Sequence, residues 1–115
     1  MLNATEIARK AVEVAAEGQA SDILLLDIQE PPAFADFFVI LSAETTRQIN
    51  ALADGIEETL KGMDVRPYHR EGVADSGWVL LDYSDVVVHL FTPLERRFYN
   101  LEEIWSRGTS LLRIQ

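Results

Sequence analysis

The chain has 115 residues, 48% of them hydrophobic and 25% charged, a balance that suits one folded domain over residues 1–115 and disfavours a two-lobed enzyme with a cleft between its halves. Ten Lys and Arg against nineteen Asp and Glu leave a net charge of −9, which works against direct nucleic-acid binding through phosphate contacts. There is no cysteine, so disulfides, thiolate metal sites and a cysteine nucleophile are excluded. The opening Met1–Glu6 lacks a basic stretch followed by an apolar one, and no apolar run approaches membrane-spanning length, so a soluble, cytoplasmic protein is expected.

Asn3 with Glu6 three residues on is a capping-box signature, and Ile7, Ala8, Ala11, Val12, Val14 and Ala15 before Gly18 predict a helix of about four turns. Asp22–Ile28 is a continuous apolar run that predicts a central strand buried on both faces, ended by Pro31-Pro32. Asp36–Ser42, aromatic and β-branched, predicts a second strand, antiparallel to the first because few residues intervene. Residues Ser42 to Thr46 supply capping groups for the clearest helix, in which Ile49, Leu52, Ala53, Ile56 and Leu60 share one face and Gly62 closes the run. Val65–Arg70 contains Pro67 and suits only an edge strand, and Glu71–Gly77 reads as a loop. Trp78–Asp82 and Val86–Phe91 are two further strands, with Tyr83-Ser84 as the turn of a tight hairpin. Thr92-Pro93-Leu94-Glu95 combines an N-cap, a proline at the first helical position and a capping-box glutamate. Leu94, Phe98, Leu101 and Trp105 hold one register beyond it, while Asn100 with Glu103 offers a second start, so one helix and two bent helices both stay open. The remainder, Arg107 to Gln115, is a short, partly apolar tail, and there is no repeat or low-complexity tract.

A turn at Tyr83-Ser84 pairs Asp82 with Asp85, Leu80 with Val87 and Trp78 with His89, which puts these six side chains on one face. The opposite face, Val79, Leu81, Val86, Val88 and Leu90, is apolar throughout and has the character of a core. The first face mixes Trp, Leu, Val, His and two acids, a composition enriched where another protein docks. The alternative is that Trp78 packs under the Glu71–Gly77 loop.

Asp22, Asp27, Asp36, Asp82 and Asp85 fall at strand ends, as metal-binding carboxylates of phosphoryl-transfer enzymes do, but no Gly-rich phosphate loop accompanies them. His69 and His89 have no recognisable metal spacing, and the serines show no nucleophile-elbow pattern. No catalytic residue, metal or cofactor is therefore assigned. Arg96 and Arg97 beside Tyr99 form a small cationic patch, or pair within their own helix with Glu95, Glu102 or Glu103.

Taken together, Ala20-Ser21-Asp22-Ile23, Phe34–Ile40, Thr45-Thr46-Arg47-Gln48-Ile49, Gly77–Tyr83, Asp85–His89, Arg97–Glu102 and Trp105 resemble, in order and spacing, the ribosomal silencing factor (RsfS, or Iojap-like) family over nearly the whole chain. Ser84 stands where the family often has Gly, and Ala43-Glu44 where it often has a small Gly-Thr pair. The resemblance implies an α/β (α+β) fold, a mixed five-stranded sheet flanked by helices, similar to the nucleotidyltransferase fold without its catalytic motif. It further implies a non-enzymatic factor that binds the large ribosomal subunit through its ribosomal protein fourteen, blocks joining of the small subunit and represses translation when nutrients are scarce.

Net charge adds a physical reason, since an acidic protein is steered toward a basic ribosomal protein rather than toward ribosomal RNA. On this reading Trp78 and Leu80 are the desolvated anchors and Val87 and His89 the adjoining surface. Asp82 and Asp85 pair with basic groups across the rim, and Tyr99, Arg96 and Arg97 extend the surface if the last helix folds back beside the hairpin. Two other classes stay in view. One is a nucleotidyltransferase-like, metal-dependent enzyme using carboxylates such as Asp22 and Asp36. The other is a homodimeric module joined through Trp78 or the first helix.

Overall fold

The computed structural model describes residues 2–28, 35–104 and 109–114. The first helix, α1 (Ala4–Glu17), opens with the expected capping box: Asn3 Oδ1 accepts from the Glu6 N–H at 2.9 Å and Glu6 Oε1 accepts from the Asn3 N–H at 3.2 Å. Gly18 follows with φ −83, and the left-handed residue after the helix is Gln19 at φ 63. Glycine at 18 serves space instead, for a Cβ there would lie 2.5 Å from Leu52 Cδ2. Next come β1 (Ser21–Asp27), β2 (Phe37–Ser42) and α2 (Thr46–Gly62), the last capped by Thr45 Oγ1, which accepts from the Gln48 N–H at 3.1 Å. The Pro31-Pro32 turn and Phe34 lie outside the described residues, as does Trp105.

Beyond α2, the edge strand expected over Val65–Arg70 is confined to β3 (His69–Glu71), after Pro67 and one residue into the expected loop, and its Arg70 reaches back to α2, donating to Asp54 at 2.8 Å and Glu57 at 3.1 Å. A short 3₁₀ turn, Ala74–Ser76, leads into β4 (Trp78–Asp82), β5 (Val86–Phe91), α3 (Pro93–Tyr99), α4 (Leu101–Ile104) and β6 (Thr109–Ile114). The sheet is mixed and has six strands in the order β3-β4-β5-β2-β1-β6, antiparallel except for the parallel neighbours β2 and β5. The extra strand is the segment expected to be a tail: it pairs with the outer edge of β1, where Arg113 clasps Asp22 with two hydrogen bonds of 2.9 Å.

Strand alternation divides the apolar residues into two cores. Ile23, Leu25, Val39, Leu41, Val79, Leu81, Val88 and Leu90 pack with the apolar sides of α1 and α2 on one face. Leu24, Leu26, Phe38, Ile40 and Phe91 form a smaller cluster on the other, with Trp78, Val87 and Leu101 against it. This double burial is why β1 and β2 read as unbroken apolar runs.

The β4–β5 hairpin departs from the expected pairing by a slip that preserves the faces. Trp78 pairs with Phe91, Leu80 with His89 and Asp82 with Val87. The turn lies at Ser84-Asp85: the Tyr83 N–H donates to Val86 O at 2.8 Å, Ser84 takes φ 71, and Asp82 Oδ1 accepts from the Ser84 N–H at 2.7 Å. Tyr83 is the reason: it is buried in the same core as Val79 and Leu81, and its bond to Val86 O carries the pairing one residue past Asp82, moving the turn on. Asp85 is consequently an exposed turn residue, and Phe91 takes a place on the face instead.

Two helices follow β5, separated by Asn100 at φ 47. Pro93 sits in the first turn as expected, but among the described residues the Thr92 side chain makes no capping bond, so the predicted capping box does not form. Leu94 and Phe98 face solvent at 67% and 77% exposure, while Arg96 is turned inward.

Candidate docking face

Trp78, Leu80 and Asp82 of β4 and Val87 of β5 lie on the sheet face opposite α1 and α2, all half-buried. Tyr99, at the end of α3, packs on the Trp78 end of this face with its ring centroid 4.5 Å from that of Trp78. The expectation that the last helix returns beside the hairpin is met by this contact. Trp78 also stacks on Phe91 at 5.0 Å, and Phe98 meets Tyr99 edge-on at 5.1 Å. The Glu71–Gly77 loop borders the indole through Gly72 and Ser76 but leaves it partly uncovered, so Trp78 is neither a fully exposed anchor nor a core residue.

His89 is not adjoining surface. It is 4% exposed, under Trp78 and edge-on to Phe38 at 4.7 Å. The Trp78 indole N–H donates to His89 Nδ1 at 3.3 Å, which assigns the imidazole proton to Nε2, and among the described residues Nε2 has no hydrogen-bond partner. Burial lowers the pKa of this histidine to about 4, so it is neutral at pH 7. Its role is to orient Trp78.

Arg96 also leaves the proposed surface. It is 6% exposed and donates through Nη1 to the main-chain oxygen of Asp22 and to Ser42 Oγ at 2.9 Å, with Nη2 3.6 Å from Asp22 Oδ2. An exposed cationic patch does not describe it: this arginine ties α3 to the start of β1 and the end of β2. Arg97 is exposed and lines, with Asp22, Ser42, Glu44 and Asn100, a polar cleft of about 340 Å³. Of the residues expected at the face, the fold therefore brings together Trp78, Leu80, Asp82, Val87 and Tyr99.

Glu71 and His69 were not anticipated. They pair with Leu80 and Asp82 across β3 and β4 and so share that face, while Arg70 between them points toward α2. The only sequence signal is alternation within Arg70's strand, too short to set a register on its own.

Asp22 and Asp36 do not form a paired carboxylate site. Ser21 pairs with Ser42 and Asp27 with Phe37, which places these two acids at opposite ends of the β1–β2 ladder. Among the described residues no three His, Asp or Glu side chains gather as a metal site requires, and no helix is long and apolar enough to cross a membrane.

Such an architecture, an open mixed sheet with helices on each side and an aromatic face left partly bare at one end, is that of a small α/β domain whose most distinctive surface is a sheet face. Comparison with known proteins narrows the class. The family profile described as "Ribosomal silencing factor during starvation" matches residues 1–114. The ribosomal silencing factor RsfS of Bacillus subtilis is 35% identical over 105 residues, 91% of this chain and 89% of that protein. A mouse relative named "Mitochondrial assembly of ribosomal large subunit protein 1" is 30% identical over 83% of this chain and 43% of its own length. A crystal structure of a Chromobacterium violaceum protein superposes with a TM-score of 0.87 at 30% identity, covering 91% of this chain and 88% of that one. The chain belongs to the ribosomal silencing factor family.

Proposed function

We propose that this chain acts, as a single domain in the cytoplasm and without substrate turnover, by docking on the large ribosomal subunit through its ribosomal protein fourteen. Bound there it keeps the small subunit from joining and holds translation down when nutrients are scarce. The observation that carries the reading is the half-buried Trp78, packed on Tyr99 and Phe91 and held by His89, at one end of a sheet face of a protein with net charge −9. A rigid aromatic already partly desolvated loses little entropy on docking, and its acidic surroundings favour a basic partner over RNA. Trp78, Leu80, Val87 and Tyr99 form the apolar centre, with Asp82 at the rim and Asp85 beyond it in the exposed turn.

Co-sedimentation with separated ribosomal subunits, followed by a subunit-joining assay, tests this. The expected result is binding to the large subunit alone and fewer joined ribosomes. Trp78→Ala should weaken that binding by about 2 kcal/mol, near 30-fold, while the circular dichroism spectrum stays native. Normal binding by the folded variant would place the interface elsewhere, and no binding by the wild-type chain at moderate salt would end the reading.

A further inference from the structure

Between β3, β4 and the end of α3 the candidate face sinks into a cavity of about 210 Å³, lined by Glu71, Gly72, Ser76, Trp78, Leu80 and Tyr99. Its chemistry is one-sided. The Ser76 hydroxyl is directed at main-chain oxygens, Val73 O at 2.7 Å and Trp78 O at 3.2 Å. The Trp78 N–H is donated to His89. What the walls still offer is two aromatic rings, the Tyr99 hydroxyl, the Leu80 side chain and the carboxylate of Glu71. Among the described residues Glu71 makes no ion pair or side-chain hydrogen bond. Gly72 lets the loop pass close against β4 at the cavity's edge: it has φ +82, and a Cβ there would fall 2.3 Å from Trp78 O.

Aromatic rings present negative π faces, so two of them with a carboxylate attract a cation carried on an apolar stem. An anionic or purely apolar occupant would instead desolvate Glu71 without pairing it. We infer that this cavity receives one arginine or lysine side chain of a basic protein partner, its methylenes against Leu80, its charge between Trp78, Tyr99 and Glu71. The inference rests on the docking reading above and deepens it by naming the partner's group and adding Glu71, which makes Glu71 a determinant of partner choice.

Two experiments test it independently. In ¹H–¹⁵N spectra of the full chain, millimolar N-acetyl-argininamide or N-acetyl-lysinamide should shift the Trp78 indole and the Glu71 and Leu80 amides. Glu71→Gln should abolish the shifts, and Glu58→Gln, an exposed acid on α2, should leave them unchanged. In co-sedimentation with large ribosomal subunits, Glu71→Gln should cost about tenfold in affinity, Glu71→Asp less, and Glu58→Gln nothing. If neither amide probe shifts these resonances, or if Trp78→Ala abolishes subunit binding while Glu71→Gln binds as wild type, the cavity takes no cation and only the docking reading survives. If wild-type chain fails to bind the subunits, that reading falls, and the spectra still decide what the cavity holds.

Discussion

Replacing Arg96 by alanine tests how the last helices are attached. The side chain is 6% exposed, so nearly all of its interactions are made inside the protein. Its removal leaves the Asp22 main-chain oxygen and the Ser42 hydroxyl without their donor and takes away the cation 3.6 Å from the Asp22 carboxylate. Breaking a buried ion pair by deleting one partner costs about 3–5 kcal/mol. Here Arg113 still holds Asp22 through two 2.9 Å bonds, so the loss falls at the lower end, about 3 kcal/mol. For a chain of this size each kcal/mol moves the melting temperature by about 4 °C, and Arg96→Ala should therefore melt about 12 °C below wild type. The matching control is Arg97→Ala, one residue away and exposed, which should stay within about 0.5 kcal/mol of wild type. Thermal and urea unfolding followed by circular dichroism read both. An Arg96→Ala protein within 1 kcal/mol of wild type, or no more affected than Arg97→Ala, would refute the buried guanidinium as the link between α3 and the β1–β2 pair.

Two further outcomes are expected. His89 is neutral in the fold with a pKa of about 4 and ordinary when unfolded, so the unfolded chain binds the extra proton between about pH 6.5 and 4. Stability from this group is complete above that window and lost as pH falls through it; its imidazole resonance should not move between pH 7 and 5, and a titration midpoint near 6 would contradict its burial. Because the chain lacks cysteine, the hairpin register can be read chemically. The double variant Asp82→Cys with Val87→Cys should oxidise readily to a disulfide, whereas Leu80→Cys with Val87→Cys should not, and the reverse would restore the pairing expected from a Tyr83-Ser84 turn.

The parts of the fold that the sequence makes legible are those set by local chemistry. Asn3 and Glu6 announce α1, and the apolar side of α2 is visible from Ile49 to Leu60 because a helix repeats its face within a few residues. The β4–β5 faces come out right despite the slipped register, since moving the turn by one residue shifts the cross-strand partner by two, and alternation is unchanged by two. What escapes is whatever depends on distant neighbours. Nothing local distinguishes the inward Arg96 from the outward Arg97, because the difference is made by Asp22 and Ser42, far away in the chain. His89 is hidden by rings from β2 and β4, Glu71 joins the face only through β3 pairing, and β6 is a strand because β1 offers it an edge.

That β1–β6 pairing has a bearing on how the protein is made. Of the described strands β1 leaves the ribosome first during synthesis, and the strand that covers its outer edge leaves last. Throughout the interval Leu24 to Leu26 present unpaired main-chain groups on an apolar strand, the kind of edge on which nascent chains stick to one another. Arg113 then closes that edge by charge as well as by pairing, so the exposure of β1 lasts until β6 has been made.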